Sequence, residues 1–227
     1  MSKYIMEGKG IKRAFPVGGG QFWALKGLDL TIAENKLTIL KGRSGSGKTT
    51  LMNALGALDY PTEGDILFSG TSITKLSSKK RDLLRRRDIG FIFQSVALVS
   101  MMSAYENVEF ILRLSGAFLG ERKARAEYCL EKVGLAPRMH HMPPQLSGGE
   151  QQRVAIARAI AHRPKIIFAD EPTAELDTNT ALQVVKIFKD LIAYEGATIV
   201  MTTHDPDLME VADKVYELAD GEIVNAF

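Results

Sequence analysis

The sequence predicts an α/β fold built on a phosphate-loop core and joined to an antiparallel β portion and a helical portion. Three observations carry that prediction. An apolar run, Leu37-Thr38-Ile39-Leu40, leads into Gly42-Arg43-Ser44-Gly45-Ser46-Gly47-Lys48-Thr49-Thr50, which fits G-x-x-x-x-G-K-[ST] and opens a helix. A second apolar run, Lys165-Ile166-Ile167-Phe168-Ala169-Asp170-Glu171, ends in two carboxylates, as expected of a buried parallel strand that delivers acids at its C-terminal end. Between the two, from about residue 96 to 163, the apolar periodicity turns helical.

Along the chain, Leu28, Leu30 and Ile32 alternate with Asp29 and Thr31, the pattern of a half-buried strand. The strand at 37–40 follows, and a helix starts near Thr49. Pro61-Thr62-Glu63-Gly64 then turns into the strand Asp65-Ile66-Leu67-Phe68. The basic runs Lys79-Lys80-Arg81 and Arg85-Arg86-Arg87, with Leu83 and Leu84 between them, read as a solvated helix face, with anionic lipid or a partner as the alternative. Ile89-Gly90-Phe91-Ile92-Phe93 is a strand ended by Gln94. Helical segments lie near Tyr105 to Leu114, Glu121 to Val133 and Glu150 to His162, punctuated by Gly116, Gly134, Pro143 and Pro144. Beyond the acidic strand come a helix from Ala181 to Tyr194, the strand Thr198-Ile199-Val200-Met201-Thr202-Thr203 and a hairpin through Asp220-Gly221. One domain over 1–227 results, with the β portion and core in about 1–95 and 164–227 and the helical portion in about 96–163.

Composition bounds the function. A chain of 227 residues with 45% hydrophobic and 25% charged residues can bury a full core as one domain. The net charge of +2 is too small for a nucleic-acid footprint. The single cysteine, Cys129, excludes an internal disulfide and stands in a helical pattern as a small buried hydrophobe. His140-His141 lack nearby ligand spacing for zinc. No stretch approaches the roughly 18 apolar residues of a membrane span, and the N-terminus shows no apolar signal region, so the expectation is a soluble, cytoplasmic chain.

The residue types then suggest a chemistry. Glycines at 42, 45 and 47 let the backbone N–H groups of the loop, Arg43, Ser44 and Ser46 included, point into one concavity, and the helix start adds its positive dipole end. Polyphosphate fits there. Lys48 reaches the β- and γ-phosphates, the Thr49 hydroxyl holds Mg²⁺, and Thr50 adds a phosphate hydrogen bond. Asp170 is placed to hold the same Mg²⁺, and Glu171, one residue on, to polarise the water that attacks the γ-phosphate. Leu146-Ser147-Gly148-Gly149-Glu150 carries a further signal. Ser147 and Glu150 form an S-x-x-E capping box, yet Gly148 and Gly149 weaken a first helical turn while baring its N–H groups to an anion.

With these motifs in this order, the chain resembles the ATP-binding subunits of ABC transporters, and Leu146-Ser147-Gly148-Gly149-Glu150-Gln151-Gln152-Arg153 resembles their signature motif. The resemblance implies a RecA-like core, an antiparallel β-subdomain and a helical subdomain carrying the signature. It implies ATP and Mg²⁺ as cofactors, and a head-to-tail dimer in which Ser147, Gly148 and Gly149 of one copy meet the γ-phosphate held by the other. Three further residues take roles from it. Gln94 is similar to the Q-loop glutamine, a Mg²⁺ ligand; His204 to the switch histidine at the γ-phosphate; and Asp177, in Ala174-Glu175-Leu176-Asp177, to the D-loop aspartate, although Glu175 stands where a small or uncharged residue is commoner. Phe15 corresponds to the adenine-stacking aromatic, with Phe22 and Trp23 as alternatives across Gly18-Gly19-Gly20.

Tyr60-Pro61-Thr62-Glu63-Gly64, Ile89-Gly90-Phe91-Ile92-Phe93-Gln94, Tyr105-Glu106-Asn107-Val108 and Ala169-Asp170-Glu171-Pro172-Thr173 are most similar to the group of MacB, LolD and BceA ATPases, with FtsE close by. That implies an integral membrane permease with an FtsX-like region as partner, a periplasmic or extracellular adaptor as an optional further one, and a peripheral place on the inner face of the membrane. Ala97, Leu98, Val99, Met101 and Met102 would seat the permease's coupling helix or, equally, fill the core. An FtsE-like regulator of cell-wall remodelling would have the same motor chemistry.

Overall fold

The computed structural model describes residues 4–203 and 206–227. Two sheets and a set of helices make up the fold. β1 (Tyr4–Val17) and β2 (Gly20–Ala33) form a long hairpin. With β4 (Glu63–Phe68) and β5 (Thr71–Ser72) they make a four-stranded antiparallel sheet in the order β2-β1-β4-β5. The second sheet has six strands. β3 (Leu37–Lys41), β6 (Ile89–Ile92), β7 (Ile166–Ala169), β8 (Thr198–Thr202), β9 (Lys214–Ala219) and β10 (Glu222–Ala226) stand in the order β10-β9-β3-β8-β7-β6. Neighbours run parallel except β10, which closes a hairpin with β9.

The parallel strands are buried on both faces, so their side chains divide by parity between two cores. Ile39, Ile167, Ala169, Ile199 and Met201 face one core, shared with the helices α3 (Ala104–Ser115), α4 (Leu119–Lys132), α5 (Gly148–Ile160) and α6 (Thr178–Glu195). Leu40, Ile166, Phe168 and Val200 face the other, where α1 (Lys48–Leu55) packs with the antiparallel sheet through Leu51, Met52 and Leu55. α7 (Pro206–Met209) is a single turn before β9. Cys129 is fully buried in the helical core, and burial pushes its thiol up to about 11. No helix among the described residues is long and apolar enough to cross a membrane.

The basic cluster departs from expectation. It lies on α2 (Ser78–Asp88), but Arg81 is buried against the Tyr60 ring and Arg85 donates to Ala57 O at 2.5 Å while pairing with Asp82. These two guanidiniums pin α2 to the turn before β4. Lys79, Lys80, Arg86 and Arg87 supply the solvated face.

Candidate active site

The 42–50 loop leaves β3 at the C-terminal edge of the parallel sheet and closes on the start of α1. Gly47 caps that helix at φ 103, in the left-handed region, and a Cβ there would stand 2.8 Å from Ala24 O. A Cβ at Gly42 would collide with Leu218 O. The loop is thus clasped from behind by β2 and by the β9–β10 turn, where Gly221 N donates to Ser46 O at 3.2 Å. Inside it, Lys48 is buried and donates through Nζ to Gly42 O at 2.7 Å and Arg43 O at 3.1 Å. The ammonium is therefore held against the carbonyls at the start of the loop.

Asp170 follows β7 at the same edge and joins the loop directly, because Thr49 Oγ1 donates to Asp170 Oδ2 at 3.0 Å. These oxygens are hard donors suited to Mg²⁺, so the residues fit that ion. Glu171 comes next with φ 43, a strained conformation for a residue with a side chain. It is positioned by a residue the sequence did not single out. Thr202, fully buried at the end of β8, accepts from Glu171 N at 2.8 Å and donates to Asp170 Oδ1 at 2.6 Å. One hydroxyl ties the Asp170 carboxylate to the main chain at Glu171. Thr202→Val keeps the shape but orphans the Glu171 N–H, and a loss of roughly 1–3 kcal/mol in urea unfolding is the expected result.

Ser147 caps α5. Its Oγ accepts from Glu150 N at 3.2 Å, and Glu150 Oε2 accepts from Ser147 N at 2.8 Å, so the predicted capping box is present. Asp177 caps α6, accepting from Asn179 N and Thr180 N at 3.1 Å each and from Thr180 Oγ1 at 2.6 Å. The Ser147 N–H holds the Glu150 carboxyl below its ordinary range, and the Thr180 hydroxyl does the same for Asp177. Both folded values are depressed, so each cap contributes fully above the ordinary carboxylate range. The contribution is lost as pH falls through the depressed value.

Gln94 is exposed just beyond β6, the strand that neighbours β7. Phe15 lies on β1 opposite Phe22, so the two share one face of the sheet and Trp23 points to the other. Arg13, tied to Asp59 at 2.7 and 2.9 Å, covers one face of the Phe15 ring at 4.5 Å. His204 lies outside the described residues. Thr49 and Asp170 are thus brought together with the loop. No hydrogen bond joins residues 147–149 to the loop among the described residues.

Of the apolar residues after Gln94, Leu98 packs on the helical core while Val99 and Met101 are exposed, Met101 by 87%. Arg158 of α5 reaches this segment, donating to Ala97 O at 2.7 Å and Val96 O at 3.1 Å. Beside it a groove of about 600 Å³ runs between α2, β6, α3 and α5, lined by Leu58, Arg86, Phe91, Phe93, Ala97 and Leu114 among others.

The ABC transporter family matches residues 25–174. The chain is 44% identical over 225 residues to the macrolide export ATP-binding/permease protein MacB of Wolinella succinogenes, covering 99% of this chain and 35% of that protein. It is 42% identical over 223 residues to the lipoprotein-releasing system ATP-binding protein LolD 2 of Rhodopirellula baltica, covering 96% of this chain and 88% of that one. It therefore spans about a third of the length of MacB and most of LolD 2. Among solved structures, the ATP-binding cassette MJ0796, a dimer in a post-hydrolysis state bound to ADP and Pi, superposes with a TM-score of 0.91 at 38% identity, covering 98% of this chain and 97% of that one.

Proposed function

Because the chain belongs to the ABC transporter family of ATP-binding proteins, we propose that two copies close head to tail on two ATP molecules and that closure drives a membrane permease with an FtsX-like region. One observation carries this reading. The phosphate loop and Asp170 form one bonded unit through Thr49, whereas the anion-ready start of α5 stands apart from it and is available to a second copy. The dimeric cassette with ADP and Pi supports the pairing.

In this reading the N–H groups of 42–47, Lys48 and Thr50 hold the triphosphate, and Phe15 offers adenine the ring face opposite Arg13. Thr49, Gln94 and Asp170 would be the oxygen donors for Mg²⁺, which would supply charge neutralisation to the triphosphate. Glu171 polarises a water whose oxygen bonds to the γ-phosphorus as the bond to the bridging oxygen breaks, giving ADP and phosphate. His204 contacts the γ-phosphate. Ser147, Gly148, Gly149 and Asp177 act on the nucleotide of the other copy.

The groove beside Arg158 is where the permease would dock, with the exposed apolar surface of Phe93 and Leu114 and the charge of Arg86 along its lining. The ATPase is then peripheral on the inner face of the membrane, and a periplasmic or extracellular adaptor is an optional further partner through the permease. Cargo specificity belongs to those partners. The test is mass-spectrometric identification of the membrane protein that co-purifies with the Glu171→Gln chain from its native host. A partner with few transmembrane helices and a large extracytoplasmic domain is expected. A cell-wall-remodelling partner would point to an FtsE-like regulator instead, and no membrane partner would overturn the proposal.

A further inference from the structure

The two glycines that open α5 differ in their surroundings. A Cβ at Gly148 meets nothing within 4 Å, whereas one at Gly149 would collide with Thr180 Cγ2. Thr180 sits in the first turn of α6, its hydroxyl 2.6 Å from Asp177 Oδ2. One turn further along both helices, Arg153 Nη1 donates to Gln183 Oε1 at 3.1 Å. The starts of α5 and α6 therefore meet at a notch one methyl group wide, closed behind by a polar bond. Openness to an anion explains Gly148. It does not explain Gly149, whose missing side chain is filled from within the same chain.

We propose that Thr180 is a positioning residue that fixes the signature turn to the D-loop within one copy. Its methyl fills the notch at Gly149, and its hydroxyl holds Asp177, so the Ser147 turn and Asp177 reach the partner's nucleotide as one surface of set spacing. This inference rests on the head-to-tail reading given above. It explains why a helix start tolerates a second glycine, and why Asp177 is followed three residues later by a side chain that is both β-branched and a hydroxyl donor.

The test moves one methyl group across the contact. Gly149→Ala overfills the notch, Thr180→Ser empties it, and the double variant refills it from the other side, since Thr180 Cβ and Oγ1 stand 3.5 Å from the Cβ built at 149. Each variant is assayed for ATP turnover, and in a Glu171→Gln background for ATP-driven dimerisation, alongside thermal melting. Gly149→Ala should lose about 10²-fold in turnover and dimer affinity, the scale of an ångström-sized misplacement. Thr180→Ser should lose about fourfold in dimer affinity, the scale of one methyl contact. The double variant should return to within about threefold of the starting protein on the same scale, with all melting temperatures close together. A double variant as impaired as Gly149→Ala, or a Gly149→Ala chain of full activity, would overturn the proposal. Failure of the head-to-tail reading would show elsewhere, as ATP-driven dimerisation that survives Ser147→Arg.

Discussion

Glu171→Gln is expected to cut ATP turnover by about 10³-fold, the scale of losing a general base, while leaving ATP bound and trapping the two-copy form. The amide matches the carboxylate in size and keeps the main chain intact, so the Glu171 N–H bond to Thr202 survives. Lys48, Thr49 and Asp170 are untouched, which preserves nucleotide binding. What is lost is the negative charge proposed to polarise water. Phosphate release under steady-state conditions and size-exclusion chromatography with ATP read the two halves of the effect, and wild-type turnover would remove Glu171 from its role.

Ser147→Arg should abolish ATP-driven association, so that in the Glu171→Gln background the double variant elutes as a monomer with ATP. The local damage is small, because losing the Ser147 hydroxyl costs about 1 kcal/mol of helix capping. The functional damage is large. A long cation at the start of α5 would fill the place an anion is to occupy, beside a Gly148 that has open space around it. Nucleotide binding to the monomer should be unchanged, since no hydrogen bond links that turn to the 42–50 loop among the described residues. Hydrolysis at the wild-type rate in Ser147→Arg with Glu171 intact would exclude contact in trans.

Much of the architecture was legible from local pattern. The strand and loop over 37–50 and the acidic end of β7 are written in consecutive residues, and the helices α3 to α5 follow an amphipathic period with glycine and proline punctuation. The capping box at Ser147 was legible for the same reason. β1 was not read, because its register shifts repeatedly against β2 and β4, and Gly8, Lys9 and Gly10 break the alternation that marks a strand. Arg81 and Arg85 looked like surface charge because their partners, Tyr60 and Ala57, lie more than twenty residues earlier. Thr202 was hidden likewise. A threonine that ends an apolar strand is ordinary, and only the pairing of β7 with β8 brings its hydroxyl to Asp170 and Glu171. The fit of Thr180 to Gly149 depends on how two helices cross, which no local pattern records.

The Arg158 contact has a mechanical side. Arg158 and Ser147 lie near opposite ends of one helix, about 16 Å apart at 1.5 Å per residue. Packed in the helical core through Val154, Ile156 and Ile160, it is a stiff connection between those two ends. One end grips the carbonyls of Val96 and Ala97 at the edge of the groove, and the other carries the signature turn. In the proposed dimer, a push at Ala97 would reach the partner's nucleotide along α5. Force would then pass either way between groove and nucleotide without unfolding a single turn.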